Sequence, residues 1–317
     1  MVFPIHEAQI TGIFVESVFF GIHIATFGCC LQALVTTSRL TPKPMKDINW
    51  PMIIFSLVLF SNAAFDLAIG FYHNLRAFVY YKGPGGPTEE LTNISDWVNV
   101  ARSLTVVMQT MIGDAMLIYR CWVMYGRSFT VVSFSVLLWL GAIVCTILVT
   151  YLEATLHSRV LISARQLRPA GTAFWAITIA INVITTSLLV WRIWTVERES
   201  AKYRVYSNIY AKSMLGGVIR SIIESGLLYT FTALITFVTF LVGSNAVYVV
   251  TDAEIQIVGI AFNLLSIRAA RLRKPGRDSS SLNSNLSVPI QFLRPRSTQK
   301  TEVHVTVTAD RVHDDMV

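Results

Sequence analysis

Charge is what this chain has least of. Only 14% of its 317 residues are Asp, Glu, Lys or Arg, while 53% are hydrophobic. A soluble domain carries about 25% charged residues, so a water-soluble body of this size is excluded. The shortage is uneven: residues 268–317 hold nine basic and five acidic residues, and residues 1–267 hold only seventeen and fourteen. Cysteine is also sparse. Cys29, Cys30, Cys121 and Cys145 sit in apolar runs or at their ends without metal-knuckle spacing, which excludes a disulfide framework and predicts buried thiols acting as small hydrophobes. The apolar runs hold no lysine, because all seven (43, 46, 82, 202, 212, 274 and 300) lie between or after them; a retinal Schiff base has no attachment point. Gly-x-Ser-x-Gly, a phosphate loop and His-Glu-x-x-His are all absent. His6, His73 and His157, with Glu153 one turn before His157, share one side of the membrane, yet no spacing enforces a zinc site. The sequence calls for no cofactor. Its basic residues are distributed as membrane topology requires, so no nucleic-acid partner is expected.

What is present is a series of seven apolar runs, each near the roughly 20 residues that cross a bilayer as a helix. They cover about 13–36, 50–72, 101–124, 129–152, 171–194, 219–243 and 252–272. The seventh opens on Thr251 and Glu254, spaced as a capping box at a helix start. Without water each run must satisfy its own backbone, so helices are expected throughout. The predicted fold is an all-α, seven-helix transmembrane bundle over 1–272, followed by a disordered cytosolic tail over 273–317.

Orientation follows from Lys and Arg in the loops. One set of loops plus the tail carries nineteen, the other set five. Basic loops stay cytoplasmic, which places the N-terminus outside and the C-terminus inside, in a plasma membrane. Asn93-Ile94-Ser95, a glycosylation triplet, falls in the first outer loop, and Asn93 is the expected glycan site.

An ionisable group at mid-membrane costs at least about 2.5–3.5 kcal/mol and needs a reason. Glu16 is expected near the outer water, Asp66 in the outer half of the second run, and Asp114 deepest in the third. Glu224, Asn263 and Ser266 lie at matching depth in the sixth and seventh runs, so Asp114, Glu224 and Asn263 are expected to converge on an inner polar cluster. That cluster serves either helix packing or a hydrated path. His23 is expected to make an interhelical hydrogen bond.

The third run ends Leu117-Ile118-Tyr119-Arg120-Cys121-Trp122 and the fifth ends Leu189-Val190-Trp191-Arg192-Ile193-Trp194. Both have the aromatic and arginine chemistry of an interface anchor, with Tyr119, Trp122, Trp191, Arg192 and Trp194 at headgroup level. A second reading pairs Arg120 with Glu224 as a cytoplasmic latch between the third and sixth runs.

Seven runs, the outward N-terminus, the short turn after the third run and Asp114-x4-Tyr119-Arg120-Cys121-Trp122 resemble a group of uncharacterised seven-span membrane proteins of mushroom-forming fungi. The likeness covers residues about 10–272, and the motif around Arg120 is its most specific part. The architecture is also similar to that of G-protein-coupled receptors. The chain departs from that pattern in having no acidic residue before Arg120, no Asn-Pro-x-x-Tyr (Asn263 precedes Leu264) and no outer cysteine pair. The resemblance implies a receptor-like integral membrane protein. An enzyme would need three convergent ligands or a nucleophile–base pair, neither of which the sequence shows, so no enzymatic activity is expected.

Arg268, Arg271, Arg273, Lys274 and Arg277 form a juxtamembrane basic cluster suited to anionic lipid. Ser279, Ser280 and Ser281 follow as phosphorylation candidates. The inner loop over 195–215 and the tail are the surfaces a cytosolic signalling partner would read. The expected function is a receptor-like sensor. A transporter or channel using Asp66, Asp114 and Glu224 is the alternative, ahead of a membrane-embedded enzyme or a scaffold.

Overall fold

A chain whose long apolar runs are interrupted by few prolines has one economical way to satisfy its backbone, and the computed structural model is helical almost throughout. It describes residues 3–36, 42, 44–83, 86–92, 96–155, 167–203 and 209–272, all within one compact unit, Met1–Ser279. The expected tail, Asn93 and Ser279–Ser281 lie outside the described residues.

Eight α-helices are present among them: α1 Ile5–Val35, α2 Trp50–Leu75, α3 Gly86–Thr92, α4 Trp97–Met124, α5 Phe129–Thr155, α6 Leu167–Tyr203, α7 Ile209–Val242 and α8 Ala246–Leu272. A π-helical stretch, Arg76–Tyr80, continues α2. All but the short α3 contain one of the seven runs, in order. Five are long and apolar enough to cross a membrane: α1, Trp50–Tyr80, α5, Arg168–Val196 of α6 and Ala246–Ala270 of α8. In α7 the described apolar stretch is Gly226–Val242. Helix α4 is the polar one, because it carries Arg102, Gln109, Asp114 and Arg120.

The seven long helices close a ring in chain order, α1 against α2, α2 against α4, and so on to α8 against α1, with α4 also touching α6 and α8. In the apolar stretch of α8, 78% of residues are buried against other helices, compared with 17% in α1; α8 is therefore the central element. Its approach to α1 depends on glycine. A side chain at Gly12 would collide with the Asp252 carboxylate, and one at Gly259 with the His23 ring.

Two helix ends are closed by glycine in the left-handed region. At the end of α4, Gly126 (φ 66°) donates to Val123 O at 3.2 Å, and Arg127 donates to Trp122 O at 2.9 Å. At the end of α7, Gly243 (φ 72°) donates to Phe240 O at 3.2 Å and Ser244 to Thr239 O at 3.2 Å. Both are Schellman caps, with glycine where a Cβ would be strained. They make the α4–α5 and α7–α8 turns short.

Apolar side chains face outward and polar ones inward. Phe14, Val18 and Ile22 on α1, Leu137, Val144 and Ile147 on α5, and Phe231, Leu234 and Val238 on α7 are exposed, whereas Glu16, His23, Asp66, Gln109 and Asp114 are buried. Such a belt suits a lipid bilayer. Cys30 and Cys121 are buried as expected, but Cys29 is exposed on the outer face of α1.

Several expected boundaries need correction. Helix α1 begins at Ile5, well before 13, because Pro4 initiates it and polar Gln9 faces the bundle interior. Helix α8 begins at Ala246, so Thr251 and Glu254 do not form a capping box. Thr251 Oγ1 instead bonds back to Val247 O at 2.8 Å, and Glu254 accepts from Thr236 Oγ1 at 2.5 Å. The helical extensions of α6 and α7 occupy most of the loop expected over 195–215.

A buried polar cluster and its neighbouring cavity

The candidate site lies in the half of the bundle that carries α3. Arg76 ties that end together, bonding Glu90 of α3 and Asp96, both at 2.7 Å. Asp96 is also the N-cap of α4, accepting from the Val98 N–H at 3.4 Å. This fixes where α4 starts and so where Arg102, one and a half turns on, points.

Arg102 is buried and bridges three helices. One guanidinium nitrogen donates to Gln9 Oε1 of α1 at 2.8 Å, and another meets Asp252 Oδ1 of α8 at 2.6 Å. Thr105, on the same face of α4, donates to Asp66 of α2. Gln256 of α8 donates to Glu16 of α1 at 3.1 Å and accepts at 3.0 Å from His23, which makes the expected interhelical bond. Gln109 donates to the Ile255 carbonyl at 3.0 Å and accepts from Asn62 at 2.9 Å. Four helices are thus joined by one network around a single guanidinium.

Glu16, Asp66 and Asp252 each offer an oxygen, and these atoms lie within 4.8 Å of one another. One oxygen of each carboxylate accepts a hydrogen bond from Gln256, Thr105 or Arg102, and the other (Glu16 Oε2, Asp66 Oδ2, Asp252 Oδ2) accepts none from an amide, hydroxyl or guanidinium among the described residues. Among the described residues Arg102 is their one cationic partner. The spacing is compatible with a bridging cation, and the adjacent guanidinium competes for the same role. Glu16 is fully buried, which corrects its expected place near water: with α1 starting at Ile5 it sits about three turns into the helix.

Beside the cluster is a cavity of about 120 Å³. Arg102, Asp252 and Glu153 supply its charged lining, while Phe174, Trp175 and Phe240 supply its apolar wall. Ser103 holds Glu153 at 2.9 Å. A second cavity, about 40 Å³, lies deeper and shares no lining residue with the first.

The other expected site residues do not converge on one centre. Asp114 accepts from the Tyr229 hydroxyl at 3.0 Å, Asn263 accepts from Ser56 at 2.8 Å, and Ser266 accepts from Arg120 at 2.7 Å. Arg120 also touches Met52 Sδ at 3.8 Å and lies 5.1 Å over the Phe262 ring. Glu224 pairs with Arg268 at 3.2 Å, both half-exposed. The expected Arg120–Glu224 latch is therefore replaced by two separate contacts, because Arg120 points into the bundle and Glu224 away from it.

The anchor residues divide likewise. The Tyr119 and Trp122 rings lie 6.1 Å apart, tilted by 45°, and Arg127 lies 5.7 Å over Trp122. Trp191 and Trp194 are exposed, 5.8 Å apart, and Arg192 donates to Met124 O at 3.3 Å while lying over Tyr125. The two similar motifs thus end in different places: Arg192 remains near the surface, whereas Arg120 is buried.

Sequence reasoning missed Arg102, Gln9, Thr105, Gln256 and Asp252. A signal was available in α4, where Arg102, Thr105 and Gln109 recur at helical spacing on one face. No family model, no curated protein and no solved structure matches the chain.

Proposed function

We propose that the chain is a receptor-like, seven-span membrane protein whose α3 end faces outward and whose cavity there binds a small, largely apolar ligand. The observation that carries this reading is the cavity itself, walled by aromatics, bounded by Arg102 and Asp252, and separate from the deeper one. Ligand pockets have this character, an apolar lining with a few placed polar groups. The loop charges support the orientation, and the resemblance to seven-span fungal proteins supports the class. A ligand displacing the Arg102 contacts would act on α1, α2, α4 and α8 together, giving a route to the opposite end. There, a cytosolic partner would read the ends of α6 and α7, and the juxtamembrane arginines would meet anionic lipid.

The clustered oxygens of Glu16, Asp66 and Asp252 favour one second reading, a transporter that passes a cation through the bundle. The two readings part in a screen of small apolar and amphipathic compounds by thermal shift on the purified chain in nanodiscs. Receptor-like binding predicts compounds that stabilise the wild type, lose that effect in Val106→Phe, which fills the cavity, and are not carried into proteoliposomes. Carriage of such a compound, or of a cation with it, would favour the transporter.

A further inference from the structure

Among the described residues Arg120 has no carboxylate partner. It is 9% exposed, its Nε has no partner, and its polar contacts are the Ser266 hydroxyl and the Met52 sulfur. A buried charge without a counter-charge is among the most costly arrangements a protein can hold.

Across the deeper cavity from α4 is a second polar group without a partner. Asn182, on α6, is fully buried, and neither its Oδ1 nor its Nδ2 is hydrogen bonded among the described residues. Arg120 and Asn182 line the same space of about 40 Å³, with Phe262, Val258 and Leu189 making up much of its apolar wall. Tyr229, which also borders it, is occupied by Asp114.

We infer that this cavity between α4, α6, α7 and α8 is a binding site for a small monovalent anion of the halide class, held by the Arg120 guanidinium and the Asn182 amide. Three properties select that ligand. The guanidinium requires negative charge, and water would satisfy hydrogen bonds while leaving the charge unbalanced. Two of the three free groups, Nε–H and the amide NH₂, are donors, and the third, Asn182 Oδ1, is an acceptor. The space admits about one or two water-sized bodies, which suits a monatomic ion and is too small for a phosphate or a carboxylate on a chain. The anion would join α4 to α6 where no direct bond between Arg120 and Asn182 exists. The inference stands independently of the ligand proposed for the α3-end cavity.

The test uses the full chain in nanodiscs, with thermal unfolding followed in sodium gluconate and in sodium chloride or bromide at equal ionic strength. The wild type is expected to unfold about 3 °C or more higher in halide than in gluconate. Asn182→Asp, which builds a carboxylate into the cavity, should keep the higher unfolding temperature in both salts. Arg120→Gln should be insensitive to the anion. Equal wild-type unfolding temperatures in the two salts would overturn the site. A halide shift that persists in Asn182→Asp would place the ion elsewhere and overturn it too. If Arg120→Gln does not fold, the wild-type and Asn182→Asp comparison decides alone.

Discussion

Arg102 lies at the junction of four helices, and its removal would leave Asp252, Asp66 and Glu16 together without their cationic partner. Breaking a buried pair from one side costs about 3–5 kcal/mol. Arg102→Met is therefore expected to lose that much, read by denaturation in detergent, whereas Glu224→Ala, at a half-exposed pair, should lose about 1 kcal/mol or less. A loss at Arg102 no larger than that at Glu224 would mean the network is not holding the helices. Arg120 and Glu224 do not touch, so their double mutant should be additive within about 0.5 kcal/mol, while Arg120 with Ser266 should not be. At this scale the sequence was readable in kind but not in pairing. Asp66, Asp114 and Arg120 stand out as charges in apolar runs. Their partners do not, because Gln9, Thr105 and Gln256 are ordinary polar residues whose importance depends on which faces meet. Arg120 and Glu224 match in depth, but rotation about the helix axes turns Arg120 to Ser266 inside the bundle and Glu224 to Arg268 at its surface.

Among the elements, α8 organises the rest, and its contact with α1 is the tightest constraint on the bundle. Gly259→Ala would push a methyl group into the His23 ring. The expected cost is about 1–3 kcal/mol, typical of overpacking, and His23→Ala should relieve part of it. A Gly259→Ala variant as stable as wild type would show that α1 and α8 can separate freely. The number and order of long helices followed from runs of apolar residues, since each must satisfy its own backbone in lipid. The ends were less legible. The start of α1 contains Gln9 and Glu7, which read as solvent-facing until the bundle gives Gln9 a partner in Arg102. The start of α8 looked like a capping box because Thr251 and Glu254 have that spacing, yet both turn inward, to the α8 backbone and to Thr236 of α7. Glycines 126 and 243, by contrast, sit where a helix end should be and mark their turns correctly.

On the scale of the whole molecule, the protein is apolar outside and polar inside, with five helices suited to crossing a bilayer and a ring of seven long ones. The composition revealed the environment at once, through the shortage of charge. The cavities were not visible, because a void is a property of packing between elements distant in sequence: Arg102 and Phe240, or Arg120 and Asn182, become neighbours only when the ring closes. The central claim is that the α3-end cavity opens outward and is closed off from the deeper one. It is tested most directly by labelling single cysteines in a cysteine-free background, Thr251→Cys in the first cavity and Asn182→Cys in the second, with a membrane-impermeant thiol reagent applied to intact cells and to inverted vesicles. The account predicts labelling of position 251 in intact cells only and of position 182 from neither side. Labelling of both positions from both sides would reveal a continuous water path and contradict it.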